Sequence, residues 1–188
     1  MTTSNDAIPS AIPTRAYTSS AAWLRFLIPA SLGLAADLYL KAWSFPDGVP
    51  SDPQTPAGRF PADLHRQPLA IIDHVLGFTT TINHGAVFGI GQGLVVWFLL
   101  FSLVAMGIIL WVFLTSRNDQ FLVHVCLGMI TAGALGNLYD RALFHGVRDM
   151  LRFYVAWYPY IFNIADALLC VAVPLLMLRW LFIKDPAQ

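Results

Sequence analysis

Four long apolar runs, separated by polar segments, set the first reading of this chain. They extend from about Ala21 to Trp43, Leu94 to Leu114, Phe121 to Tyr139 and Ile161 to Ile183. Each is close to the roughly 20 apolar residues that carry a helix across a bilayer core. Trp23 and Trp43 stand at the ends of the first run as interface anchors, where Arg25 and Lys41 can snorkel. The second run holds no charge at all. In the third, Gly128, Gly133 and Gly136, with Ala132 and Ala134, allow close helix approach. Pro174 predicts a kink in the fourth.

The polar segments differ in kind. Residues 1–20, rich in Ser, Thr, Ala and Pro, read as a disordered tail, and residues 184–188 as a second short tail. The first apolar run is too long for a cleavable leader and is expected to stay as an anchor. Between Ser44 and Pro68 repeated prolines exclude regular structure and predict a loop outside the membrane. From Ile71 to Ile90, β-branched and aromatic residues predict short strands. The glycines of NHGAVFGIGQG lack the Lys-Ser/Thr ending of a phosphate loop and read as a flexible entry to the next helix. Four crossings bring both termini to one side, and the count of Lys and Arg on the two sides does not decide which side that is.

Composition supports the membrane reading. Of 188 residues 57% are hydrophobic and 12% charged, with a mean hydropathy of +0.62, whereas soluble domains carry roughly 25% charged residues. Formal charge is zero, which gives no reason to expect a nucleic acid partner. Every acidic residue is Asp, so the Glu-dependent metalloprotease motif is excluded. Cys126 and Cys170 both fall in apolar runs and read as small buried residues. His124 reads as a packed histidine.

Candidate chemistry gathers at one interface. Asn137, Asp140 and Arg141 share a helical face at the end of the third run, and Asn163 and Asp166 share one at the start of the fourth. Asp149 lies in the connection between them, expected as a loop. The predicted topology brings Asp37, Asn83, Asp140, Asp149, Asn163 and Asp166 to the same side from separate segments. Carboxylates are tolerated so near lipid mainly where they face a wet cavity and do chemistry. Asp149 and Asp166 are the natural pair, since two carboxylates sharing one proton can activate water and protonate a leaving group. Asp140 can instead serve a structural ion pair, and Asp37 an i, i+4 pair with Lys41 at the membrane edge. A polar cluster holding helix ends together, and a metal site from His84, His145 and the aspartates, are the competing readings.

These residues fall into four ordered blocks: Asp37-Leu-Tyr-Leu-Lys41; Asn83-His-Gly85-Ala86-Val-Phe88; Gly136-Asn137-Leu-Tyr-Asp140-Arg141 with Val147-Arg-Asp149; and Phe162-Asn163-Ile-Ala165-Asp166. In this order the chain resembles lipoprotein signal peptidase (signal peptidase II), an aspartic peptidase family of the bacterial inner membrane, over nearly all of residues 21–183. The resemblance implies an all-α polytopic membrane protein: four transmembrane helices, a small extracytoplasmic β-cradle within 44–93, and both termini cytoplasmic. It implies catalysis by Asp149 and Asp166. Residues matching Asn83, Gly85, Asn137, Arg141 and Asn163 line the site and position substrate, while Asp37, Lys41 and Asp140 support it.

The implied reaction removes the signal peptide of a prolipoprotein just before a diacylglyceryl-modified cysteine. It needs no metal or organic cofactor, and its partners are diacylated prolipoproteins and membrane lipid, with the chain a monomer. Three departures stand out. The loop between Lys41 and Asn83 is long and proline-rich, Val87 replaces a small residue, and Arg148 replaces an aliphatic one beside Asp149. An Arg there would lower the Asp149 pKa, although neighbours in an extended segment point to opposite faces. Arg148 matches no family residue and is expected to matter less than Arg141. The rivals to a peptidase are an aspartate-relay carrier and an inactive lipoprotein-binding homologue. A carrier should place its ionisable groups near the midplane, whereas these cluster at one interface.

Overall fold

The computed structural model describes residues 14–50, 56–61, 69–85, 95–155 and 160–183. Each apolar run yields a helix: α1 (Ser20–Ser44), α2 (Val95–Thr115), α3 (Phe121–Phe144) and α4 (Ile164–Phe182). Among the described residues, α1, α3 and α4 are long and apolar enough to cross a membrane; in α2 the described apolar stretch, Leu99–Thr115, is shorter. Large apolar side chains face outward along the helices, among them Leu32, Phe101, Trp111, Leu181 and Phe182. Such surfaces are at home in lipid and costly in water.

The central helix is α3, more deeply buried than α1 or α4. Its glycines explain the close approach. A Cβ on Gly128 would collide with the Phe26 carbonyl oxygen, and one on Gly133 would lie 2.7 Å from the Ala165 carbonyl oxygen. At the end of the bundle remote from the polar residues, Phe26, Phe113, Val123, Cys126, Leu127 and Leu176 form an apolar core. His124 is packed there, edge-on to Phe113 and bonded to Ser116 Oγ at 3.0 Å. Cys126 is buried as expected, but Cys170 is exposed on the outer face of α4.

A four-stranded antiparallel sheet, in the order β1 (Leu69–Ile72), β2 (Leu76–Asn83), β3 (Val147–Phe153), β4 (Ile161–Phe162), covers the other end. Half of it was not foreseen. The segment after α3, expected as a loop, is β3, and the first residues of the fourth apolar run are β4. In β3 the sequence VRDMLRF buries charged and apolar positions on both faces, so no alternation of polar and apolar residues marks it as a strand. Phe45, Ala57, Met150 and Leu151 form a second apolar core, with Phe78, Ile82 and Phe162 packed against it.

Two segments read as irregular are partly held in place. Residues 14–19, assigned to the tail, dock on the α2–α3 turn: Asn118 N donates to Thr14 O at 2.8 Å, and Ala16 N to Ser116 O at 2.9 Å. Within the proline-rich loop, residues 56–61 dock on β2 and the end of α1. Arg59 N donates to Ser44 O at 2.8 Å, and Thr80 Oγ1 to the carbonyl of buried Ala57 at 2.6 Å. Gly58 suits this fold-back, having φ of +79° and no room for a Cβ between Ser44 and Thr80. The tails at 1–13 and 184–188, loop residues 51–55 and 62–68, and the glycine-rich stretch 86–94 with Val87 lie outside the described residues.

Candidate active site

The C-terminal turns of α1 and α3, the N-terminus of α4 and strand β3 converge, and the polar residues singled out in the sequence meet there. The cap of α4 is the starting point. Asn163 is extended (φ −126°, ψ −178°), and its Oδ1 accepts the Asp166 backbone N–H at 2.8 Å. Such a cap satisfies one of the open N–H groups of a helix start and contributes about 1 kcal/mol. It also fixes the amide, leaving Nδ2 to donate to Asp149 Oδ1 at 2.6 Å and Asn137 Oδ1 at 3.2 Å. One side chain therefore joins both carboxylate-bearing segments.

Asn137 completes the bridge. Its Oδ1 receives Lys41 Nζ at 3.3 Å as well as Asn163, which turns its Nδ2 toward an acceptor, Asp166 Oδ1, at 2.8 Å. Asn83 reaches Asp149 from the end of β2. The register allows this, since Asn83 lies opposite Val147, which shares a strand face with Asp149. Arg141 donates to the Gly85 carbonyl at 3.1 Å and lies close enough to Asp166 and Asp149 to interact with both charges. Gly85 N in turn donates to Asn83 Oδ1 at 3.0 Å. His84 and His145 meet at the neighbouring turn, Nδ1 to carbonyl at 3.4 Å.

Beneath this layer lies a buried ion network. Lys41, fully buried, is 2.7 Å from Asp37 and 3.4 Å from Asp140, and donates to the Gly136 carbonyl at 3.2 Å. The Asp37–Lys41 pair expected at the membrane edge is thus internal. Asp37 also accepts the Ala165 N–H at 2.9 Å, holding a second open N–H of α4. A Cβ on Gly136 would strike the Asp37 carboxylate, which accounts for glycine there. Asp140 takes the structural ion-pair role, with Lys41 and Arg148 as its partners.

Arg148, which matches no family residue, is built into this network. It is 6% exposed; Nη2 donates to Asp140 Oδ1 at 2.8 Å, its backbone N–H to Oδ2 at 2.9 Å, and its guanidinium stacks on Phe144. It faces away from Asp149 and does not lower that carboxyl. Burial, and then the negative charge of Asp166, hold the Asp149 carboxyl well above the usual range, while hydrogen bonds from Asn163 and Asn83 oppose this. Asp149 is 1% exposed and Asp166 partly open. The arrangement suits one proton shared between unequal carboxylates.

The family described as signal peptidase (SPase) II matches residues 30–182. Curated relatives named lipoprotein signal peptidase include one from Bacillus velezensis, 38% identical over 62% of this chain and 76% of its own length, and one from Geobacter sulfurreducens, 39% identical over 61% and 73%. A third, from Sinorhizobium fredii, is 36% identical over 55% of this chain and 64% of its own length. Two solved structures of bacterial membrane enzymes are also similar. One has a TM-score of 0.70 at 22% identity, covering 94% of this chain and 99% of that one. The other has 0.63 at 25% identity, covering 84% and 92%. The matched span holds every block that meets at the cap of α4, and the chain belongs to the signal peptidase II family of proteases.

Proposed function

We propose that the protein removes the signal peptide from diacylglyceryl-modified prolipoproteins, cutting just before the lipidated cysteine, with Asp149 and Asp166 as catalytic pair. The observation that carries this reading is the Asn163 bridge, which caps Asp166 and donates to Asp149. Charge balance agrees. Asp37, Asp140, Asp149 and Asp166 face Lys41, Arg141 and Arg148. One proton on the pair leaves three negative charges against three positive ones.

In this reaction buried Asp149 holds the proton and Asp166 is ionised. Asp166 takes a proton from water as the water oxygen attacks the scissile carbonyl, and Asp149 gives its proton to the carbonyl oxygen. The tetrahedral intermediate collapses as Asp166 passes its proton to the leaving amide nitrogen. In the same step Asp149 recovers its proton from one hydroxyl of the intermediate as the carbonyl re-forms. Asn137 and Asn163 hold the two carboxylates, Asn83 and Arg141 with Gly85 position the substrate strand, and Asp37, Lys41 and Asp140 fix the helix ends beneath. All four helices cross the bacterial inner membrane with both termini cytoplasmic, the sheet forms the extracytoplasmic cradle, and the enzyme works as a monomer. Purified protein in detergent, given a diacylated prolipoprotein, should release the signal peptide at the residue before the modified cysteine. No cleavage, or cleavage elsewhere, would overturn the proposal.

A further inference from the structure

We infer that Arg148 is a positioning residue for the carboxylate pair, acting through Asp140 and Lys41 rather than by touching substrate. The inference rests on the peptidase reading above and on the way one lysine is shared. Lys41 Nζ serves four oxygens: Asp37 at 2.7 Å, Gly136 O at 3.2 Å, Asn137 Oδ1 at 3.3 Å and Asp140 at 3.4 Å. Its bond to Asn137, together with that from Asn163, turns that amide toward Asp166, as described above. Asp140 competes for the same ammonium group, and Arg148 restrains the competition. Its Nη2 lies 2.8 Å from Oδ1, its backbone N–H 2.9 Å and its Nε 3.3 Å from Oδ2. Both carboxylate oxygens are therefore engaged, and Lys41 stays at the longer distance.

The grip has a second consequence. Asp140 belongs to α3, one turn beyond Asn137, and it clamps both main chain and side chain of the residue that precedes Asp149. The same contact thus sets where β3 delivers Asp149 relative to Asn137 and Asn163. Without Arg148, Asp140 would be left to Lys41 and the charge of nearby Arg141, and a buried carboxylate left short of partners draws in the nearest donor. Lys41 would close on Asp140, Asn137 would lose one of the two donors that orient it and keep the bond from Asn163, and its hold on Asp166 would loosen. Small displacements of this kind act on the reacting geometry more than on the binding of a substrate held by lipid and helix contacts.

The test is kinetic, on the full-length protein in detergent with a diacylated precursor. Arg148→Gln keeps a hydrogen-bond donor but removes the charge; it should lower kcat by about fivefold or more and leave KM within about twofold. Arg148→Lys, which restores the cation, should recover most of kcat. A smaller fall with Arg148→Gln, a loss carried by KM, or no recovery with Arg148→Lys overturns the inference. If Arg148→Gln is too unstable to assay, it is placed in an Asp140→Asn background, where the competing carboxylate is gone. Equal kcat with and without Arg148→Gln there supports the relay, and a further fall refutes it. Wild-type cleavage separates the two ideas. Its absence removes the peptidase reading and the relay together, whereas an active wild type with an unaffected Arg148→Gln removes the relay alone.

Discussion

At the scale of single residues, the site is a set of side chains whose orientations are forced by their partners. Asn163 must turn Oδ1 to the Asp166 N–H, so its Nδ2 is available to Asp149. Replacing Asp149 or Asp166 by Asn keeps shape but removes the shared proton. Each change should cut turnover by about 10³-fold or more while the protein stays folded and inserted; near wild-type turnover in either variant would remove that residue from the pair. Stability should follow pH through Asp149, whose carboxyl burial and Asp166 hold well above its usual range. A group with a raised folded pKa stabilises fully below its unfolded pKa, and the contribution is lost as pH rises through the folded value. Each unit of difference is about 1.4 kcal/mol. Unfolding midpoints in micelles between about pH 5 and 9 should therefore fall more steeply for wild type than for Asp149→Asn, which has no proton to lose. Parallel curves would contradict this.

At the scale of elements, α3 works because it is narrow where its neighbours cross it. Gly128 faces the Phe26 carbonyl and Pro29, and Gly133 faces the Ala165 carbonyl and Leu169. Backbone atoms cannot move aside as a flexible side chain would. Gly128→Ala and Gly133→Ala should each destabilise by about 1–3 kcal/mol through overpacking. Gly107 on α2 has nothing within 4 Å of its Cβ position, so Gly107→Ala should be neutral or stabilising by up to about 1 kcal/mol. Thermal unfolding of the three variants in one detergent checks this order. Equal midpoints would mean that the helices separate readily at these crossings.

At the scale of the whole molecule, apolar helix faces and a polar cap are joined at a single level. The site occupies that junction, between the bundle core around Phe26 and Phe113 and the sheet core around Met150 and Leu151. On the function proposed above, a substrate carrying acyl chains would leave them in lipid while its peptide reaches Asp149 and Asp166. The lipid should then serve positioning as much as affinity. Kinetics on one precursor with and without diacylglycerol on its cysteine should show kcat lower by about tenfold or more for the bare form, with weaker apparent binding. Comparable rates would point to a peptidase indifferent to lipid.

The sequence by itself determined the helices, since runs of some twenty apolar residues have few other ways to satisfy their backbone beside lipid. It also determined which side chains gather, because Asp37, Asn137, Asp140, Asn163 and Asp166 sit at helix ends whose order along the chain is simple. Only the tertiary structure decided how they are joined. That Asp149 rides on a strand, that Arg148 turns from it to Asp140, and that residues 56–61 dock on Thr80 depend on contacts between segments distant in the chain. VRDMLRF carries no alternation to betray its strand, because both of its faces are buried: one against the charge of Asp140, the other against Asn163. A buried strand paired by charge looks, in sequence, like a polar loop.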